Sequence, residues 1–525
     1  MLNSTNPTLQ TDVIIIGAGP TGLSLAVQLL RYNINFVLID QKEGVTELSK
    51  AMVVHARTLE IYDQIGLAER AITGGAVFQK VALMHGGQIT AHLDFSDFGG
   101  QLSPFPFGLV FEQSKNEHLL YEYLQHHGKD VEWQTRLESL TQDANCVKAV
   151  VKTANGETQT ISAHYLVGCD GASSLTRHLL GLTFAGSTNP RLFYVADVEM
   201  KFEADESTVY GAFGRDAFVL MFPMQGEKQW RLIGNLPEYD DQAEREVTFA
   251  EIEAKTRQLV QRPIEIPQVH WFSSYKVHTR HAEQFFVNRC FLAGDAAHIH
   301  TPAGGQGMNT GIQDAYNLAW KMAFVLKGYA GNSLLESYNE ERLANAKRLL
   351  HTTDQAFEVM TGDQWYVQFF RNRILPSLAK VVTHFNAVKE FLFPMVSQIG
   401  LNYRESSLSQ HYGDGPFQVK AGDRMPYFLA NGEDIYDRLH SPTFHLLLFS
   451  ERQQNEEKLK RELENEYGNY INFHIVPLYP EVVKIFGYHH SFQVLLRPDN
   501  YIALLSPDIS LGSLKAYFDQ VIAHP

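Results

Sequence analysis

Residues 17–22 read Gly-Ala-Gly-Pro-Thr-Gly, between an apolar run at 13–16 and an amphipathic stretch at 23–30. Glycines at this spacing suit the pyrophosphate of a dinucleotide. Gly17 permits a tight turn, Gly19 lets backbone approach phosphate oxygens, and Gly22 lets a helix pack closely on the preceding strand. Pro20 and Thr21 belong to the same loop, and the free N–H groups and partial positive charge of the helix that follows favour an anion. A second strand, 35–39, ends in Asp40 with Gln41 beside it. A carboxylate there accepts hydrogen bonds from ribose hydroxyls and opposes a 2′-phosphate.

Two further blocks carry chemistry. Residues 168–171 read GCDG, followed by Ser173 and Arg177, and residues 293–302 read AGDAAHIHTP, followed by Gly304, Gly305, Gln306, Gly307, Met308 and Asn309. In this order and spacing the three blocks closely resemble the signature set of the class A FAD-dependent aromatic hydroxylases, the para-hydroxybenzoate hydroxylase and phenol hydroxylase superfamily. The resemblance runs from about residue 11 to 400. It implies FAD as the bound cofactor, NADPH or NADH as co-substrate, and hydroxylation of an aromatic, phenolic or polycyclic, substrate by dioxygen through a flavin C4a-hydroperoxide.

The same resemblance distributes roles. Asp295, after Gly294 at a strand end, suits a ribityl hydroxyl. The helix from Gly307 through Met308 and Asn309 points its N-terminus at the flavin pyrimidine, where negative charge develops. Gly305 lets backbone lie against the ring, and Pro302 sits near it. Asp170 and Gln113 inherit contacts to FAD, Arg177 a weaker claim to the same region, and Arg57 a place beside the phosphates. One departure stands upstream of Arg57: relatives carry Ser-Arg-Ala where this chain has Ser49, Lys50 and Ala51. His55, His298 and His300 are expected to be structural. No Ser-His-Asp order, HExxH motif or cysteine cluster points to hydrolysis or a metal.

The elements that position these blocks follow from periodicity. Strand and helix patterns alternate early, as in a Rossmann-like α/β fold. Between 183 and 277 apolar residues alternate instead, which predicts an inserted antiparallel-sheet lobe with one solvent or ligand face. Phe213, Phe218, Leu220, Phe222 and Met224 are the candidate substrate lining. Arg231, Tyr210 and Pro302 are the catalytic candidates, since a charge within such a strand needs a reason. The expected layout is an FAD-binding domain over 1–182, the substrate lobe over 183–277, the FAD-binding domain resumed with a helical segment over 278–401, a linker over 402–420 and a small α/β domain over 421–525. Its segment 496–503, LRPDNYIA, resembles a turn in the thioredoxin-like domain appended to many of these hydroxylases. No cysteine follows Cys290, so thiol exchange is excluded there and a dimerising or stabilising role is expected.

Composition narrows the classes. Acidic residues outnumber basic ones, 59 to 44, which disfavours nucleic acid and anionic membrane as partners. Three widely spaced cysteines form no disulfide framework, and a cytoplasmic protein is expected. The polar start, residues 1–11, reads as the approach to a buried strand rather than a leader. Alternatives that would keep the motifs are Baeyer–Villiger oxygenation, antibiotic inactivation, or flavin binding without turnover.

Overall fold

The computed structural model describes residues 8–47, 51–94, 99–236, 247–301, 303–361, 393–451 and 456–522. The first sheet is parallel where it meets the glycine blocks. Strand Leu9–Ile16 lies between Phe36–Ile39 and Thr158–Gly168, and Thr158–Gly168 in turn pairs in parallel with Cys290–Leu292. Each of these four strands ends at one of the sequence blocks: GAGPTG, Asp40, GCDG and AGDAAH. Burial on both faces explains their unbroken apolar runs, with Val13, Ile14 and Ile15 fully enclosed. Helices Pro20–Arg31 and Gly307–Leu326 cross over one face, in contact where small residues allow it. A Cβ at Gly311 would stand 2.3 Å from Thr21 Oγ1.

The second sheet has eight strands, in the order His298–Ile299, Glu265–Ala282, Phe184–Lys201, Gln229–Leu236, Phe218–Pro223, Thr208–Phe213, Lys80–His85, Gln88–Asp94. The alternation over 183–277 is thus an antiparallel platform, but two of its strands come from the segment expected to belong to the first part of the FAD-binding domain. Lys80–His85 joins by parallel pairing with Thr208–Phe213, a long-range partnership that local periodicity cannot reveal. Helix Phe249–Val260 covers the back of the platform, burying Ile252 and Val260 with Trp230 and Leu232.

Beyond residue 402 the expected linker is packed rather than free. Tyr403, Ser406 and Leu408 are buried, and Gln410–His411 adds a strand to the last sheet. That sheet follows the order Phe444–Ser450, helix Glu456–Tyr467, Ile471–Pro477, helix Pro480–Phe486, Phe492–Leu496, Ile502–Ser506, helix Leu511–Tyr517. Phe492–Leu496 is central, and Phe444–Ser450 lies beside it, antiparallel to it and parallel to the edge strand Ile471–Pro477. Among the described residues no helix is long and apolar enough to cross a membrane.

Candidate functional site

The glycine loop is built for close approach. Gly17 adopts φ +103°, and a Cβ there would meet the Cys169 carbonyl oxygen at 2.4 Å, so the GAGPTG and GCDG turns touch backbone to backbone. A Cβ at Gly22 would lie 1.8 Å from the Gly17 carbonyl, whereas Gly19 faces open space. Helix Pro20–Arg31 starts after Gly19 with no side-chain cap, which leaves its first amides for another acceptor. Asp40 closes the loop from the next strand. Its Oδ2 accepts the Ala18 amide at 2.6 Å and its Oδ1 the Lys42 amide at 2.8 Å. Gln113, at the start of helix Gln113–His126, donates to Glu117 at 2.9 Å, and Glu117 also takes the Thr46 amide and stands 3.4 Å from Lys42 Nζ. Gln41 is exposed.

Asp295 is the outstanding polar group of the site. Its side chain retains solvent-accessible surface, yet protein surrounds it closely enough that burial, reinforced by Asp314 and opposed by His298, raises its pKa above the ordinary carboxylate range. An accessible carboxylate walled in this way lies in a crevice, and no described residue hydrogen-bonds to it. The turn beneath is rigid. Asp314 accepts the Gly294 amide at 3.0 Å, His298 Nε2 at 2.7 Å and Arg342 Nε at 2.6 Å. Burial alone would raise Asp314, but the Arg342 guanidinium and the His298 imidazole hold it down to about 2. His298 is therefore a strut, as expected.

The loop before helix Gly307–Leu326 is latched from the other side. His55 is buried, its pKa lowered by that burial to about 4, and its Nε2 lies 2.8 Å from the Gly304 carbonyl. A carbonyl only accepts, so the neutral ring carries its proton on Nε2. Gly304 and Gly305 both have positive φ, +75° and +66°, and a Cβ at Gly305 would press on Val53 at 2.9 Å. Asn309 staples the latch, accepting from the His55 amide and Thr58 Oγ1 while donating to the Val53 and Gly305 carbonyls at 2.8 and 2.9 Å. Its side chain is fully used, so only its backbone is left for a ligand. Met308 is buried, and Gln306 gives the helix no side-chain cap. His300 donates Nδ1–H to the Thr301 carbonyl at 2.7 Å, leaving Nε2 buried without a partner. Pro302 lies outside the described residues.

Across from this loop stands the front of the platform. Phe213 and Phe218 stack, with Phe193, Leu220, Tyr275 and Val277 in one apolar cluster. Phe222 and Met224 join Met52, Val53, Phe78 and Ile233 in another. Val53 thus belongs both to the platform wall and to the Gly305 latch. Arg231 sits on this face, its Nε and Nη2 paired with Asp197 at 2.5 and 2.6 Å and its plane 5.9 Å from the Trp271 ring. Nη1 is buried and has no hydrogen-bond partner among the described residues. Tyr210 corrects an expectation. It packs with Trp230, Leu232 and Ile252 on the back face, and its hydroxyl accepts the Asp205 amide at 2.8 Å. Tyr210 and Phe213 are three residues apart on one strand, so they cannot share a face.

A glycine turn against a parallel sheet, an unpaired carboxylate in a crevice and an uncapped helix facing a platform suit an extended dinucleotide with a flat ring, and the family model described as "FAD binding domain" matches residues 10–353. The chain is 30% identical to pentachlorophenol 4-monooxygenase of Sphingobium chlorophenolicum, over 95% of each chain. The chain belongs to the class A FAD-dependent aromatic hydroxylases. A 30% identity also relates this hydroxylase to 6-methylpretetramide 4-monooxygenase of Streptomyces rimosus, over 94% of this chain and 90% of that protein. Among solved structures, CabE, an aromatic hydroxylase from angucycline biosynthesis, superposes with a TM-score of 0.76 at 28% identity, over 98% of this chain and 99% of the other. FAD is the cofactor, NAD(P)H the family's reductant, and the reaction a monooxygenation.

Three expectations drawn from the family change in this hydroxylase. The Arg57 guanidinium is engaged within the protein. It is buried, paired with Glu60 at 2.9 Å, donating to the Asp499 carbonyl at 2.8 Å and packed on the rings of Tyr316 and Tyr501. Asp170 spends its carboxylate on helix Leu175–Leu179, accepting Ser174 Oγ at 2.5 Å and the Thr176 amide and hydroxyl at 2.9 and 3.0 Å. Arg177 ties that helix to the AGDAAH turn through the Ala296 carbonyl at 2.9 Å, its guanidinium 3.8 Å from the centre of the Phe184 ring. Sequence reasoning missed Lys42, Glu117, Asp314 and Arg342. Asp314 and Lys321 did carry a signal, as charges within an otherwise apolar helix.

Proposed function

We propose that this hydroxylase oxygenates a phenolic ring system, with room for a polycycle, held between the front of the platform and the loop at 303–307. The observation that carries the reading is the apolar face of Phe213, Phe218, Leu220, Phe222 and Met224, interrupted by one charge pair, buried Arg231 with half-buried Asp197. Two separate apolar clusters along that face suit more than one fused ring. The Nη1 of Arg231 is the donor for an oxygen on the substrate, since a guanidinium nitrogen without a partner in an apolar wall is otherwise an uncompensated cost. The relatives that carry the names of a chlorophenol and a pretetramide monooxygenase support phenols and fused phenolic polyketides as the class.

In the same proposal Gly17, Gly19, Pro20, Thr21 and Gly22 take the pyrophosphate, Asp40 with Lys42 and Glu117 the adenosine side, Asp295 the ribityl hydroxyls, and the Gly307 and Met308 amides the pyrimidine edge. Bound there, FAD supplies the redox chemistry: aromatic C–H, NAD(P)H, a proton and dioxygen give the phenol, NAD(P)⁺ and water. The chain's own residues orient the ring, exclude water from the apolar face and fix the helix dipole against negative charge. A cytoplasmic location, a homodimer and a thioredoxin-like identity for the last domain belong to the proposal. The strand and helix order from 444 to 517 supports the last of these.

The test is NAD(P)H oxidation against a panel of simple phenols and fused phenolic rings, with mass analysis of the product. Substrate-stimulated oxidation giving one added oxygen supports the reading. Oxidation that no aromatic compound accelerates, or a ring-expanded lactone as product, overturns it.

A further inference from the structure

The turn at 496–501, Leu-Arg-Pro-Asp-Asn-Tyr, joins strands Phe492–Leu496 and Ile502–Ser506, but its side chains are spent outside their own domain. Arg497 reaches Glu341 with Nη1 at 2.5 Å and Nη2 at 3.1 Å, and holds Asp499 with Nε at 2.9 Å and Nη2 at 2.5 Å. Glu341 also receives Lys321 Nζ at 2.8 Å, Asn317 Nδ2 at 2.7 Å and Ser406 Oγ at 2.7 Å. Asp499 receives Trp320 Nε1 at 3.1 Å, and its carbonyl takes Arg57. Two cations and two anions are enclosed, none with side-chain exposure above 1%. Such a set is favourable only when complete, so it tolerates one relative placement of the pieces it joins.

Those pieces lead to the flavin crevice. Arg342, next to Glu341 on helix Ser333–Thr361, holds Asp314, and Asp314 holds the Gly294 amide and His298 beneath Asp295. Asn317, Trp320 and Lys321 lie on the same helix as Asp314, the one that begins at Gly307. Both structures that face the flavin from this side, the Asp295 turn and the Gly307 helix, are therefore gripped from behind by one turn of the C-terminal domain. We propose that Arg497 and Asp499 are positioning residues for the flavin, acting through Glu341 and Arg342 on Asp314 and through Trp320 on the Gly307 helix. The proposal rests on FAD binding and not on the choice of substrate.

The experiment compares Arg497→Lys and Trp320→Phe with Val494→Ala. Val494 is buried in the same domain but belongs to a different apolar cluster, so its truncation loosens that domain without touching the charges. Each apoprotein is titrated with FAD, and the visible circular dichroism of bound flavin and the melting temperature are recorded. Arg497→Lys should weaken FAD binding about 10-fold and alter the flavin dichroism. Trp320→Phe, which removes one donor, should shift both in the same direction by less. Val494→Ala at a comparable loss of melting temperature should leave FAD affinity within about twofold. Should Arg497→Lys fail to fold, Trp320→Phe against Val494→Ala decides. Equal FAD affinity and identical dichroism for variants matched in melting temperature would overturn the proposal, whatever the substrate panel shows.

Discussion

Two aspartates flank the helix Gly307–Leu326, and they are treated in opposite ways. Asp499 is fully enclosed and takes Arg497, Trp320 and Asn317. Asp295 lies in a crevice with no described partner and a raised pKa. Helix starts also differ from one another. Phe249–Val260 begins with a Thr248–Glu251 capping box, while Pro20–Arg31 and Gly307–Leu326 begin bare. Asp499, which serves the fold, has its valences filled from within, whereas those of Asp295 are open to the crevice.

The comparison can be broken most forcefully at Asp499. Asp499→Ala strips a buried ion network of one member and should cost about 3–5 kcal/mol of stability, read by chemical denaturation of the apoprotein. An unchanged midpoint would mean that the enclosed network is not what holds the domains. Asp295→Ala should do the reverse. The apoprotein should melt no earlier than the parent, while FAD affinity falls about 100-fold with the loss of charge-assisted hydrogen bonds. A destabilised apoprotein with normal FAD affinity would assign Asp295 to the fold.

The platform offers a milder contrast. Phe222→Ala on the front should raise KM for the aromatic substrate about 10-fold through lost apolar contact. Tyr210→Phe on the back should leave KM alone and cost about 1 kcal/mol, the value of its hydrogen bond to the Asp205 amide. Equal KM effects would mean that the two faces have been confused.

A further effect is in pH. Burial lowers His55 and His300 to about 4 beside the flavin loop, and His445 and His474 to about 3 and 4 in the last domain. Groups protonated more readily when unfolded stabilise the fold above about pH 6.5 and lose that contribution as pH falls toward 4. Asp314, held near 2, adds its own loss only below about pH 4. Melting temperature should thus fall by about 5 °C or more between pH 7 and 4.5. A rise over that interval would contradict the neutral assignment of these rings.

What the sequence disclosed was local. The GAGPTG turn, Asp40 and the AGDAAH block announce themselves because a glycine's freedom and a strand's end are set by immediate neighbours. The apolar side of Phe218, Leu220 and Phe222 was equally legible from a period of two. That same period should have placed Tyr210 on the opposite side, since it differs from Phe213 by an odd step. The internal partners of Arg57 and Asp170 could not be read, because tertiary packing chooses them: Asp499 for one, and the helix at 175 for the other. The LRPDNY motif was visible, but its grip on Glu341 joins residues from different domains, a pairing that periodicity does not encode.

The parallel pairing of Lys80–His85 with Thr208–Phe213 limits how this enzyme can be rebuilt. A graft of the contiguous insertion alone would arrive with Thr208–Phe213 as a bare border, its amides and carbonyls open to any passing strand. Exchange of substrate preference between relatives should therefore carry the 80–94 hairpin together with the insertion. Nascent chains, too, must hold that hairpin unmated until the later strands are made, which makes this seam a slow closure in folding.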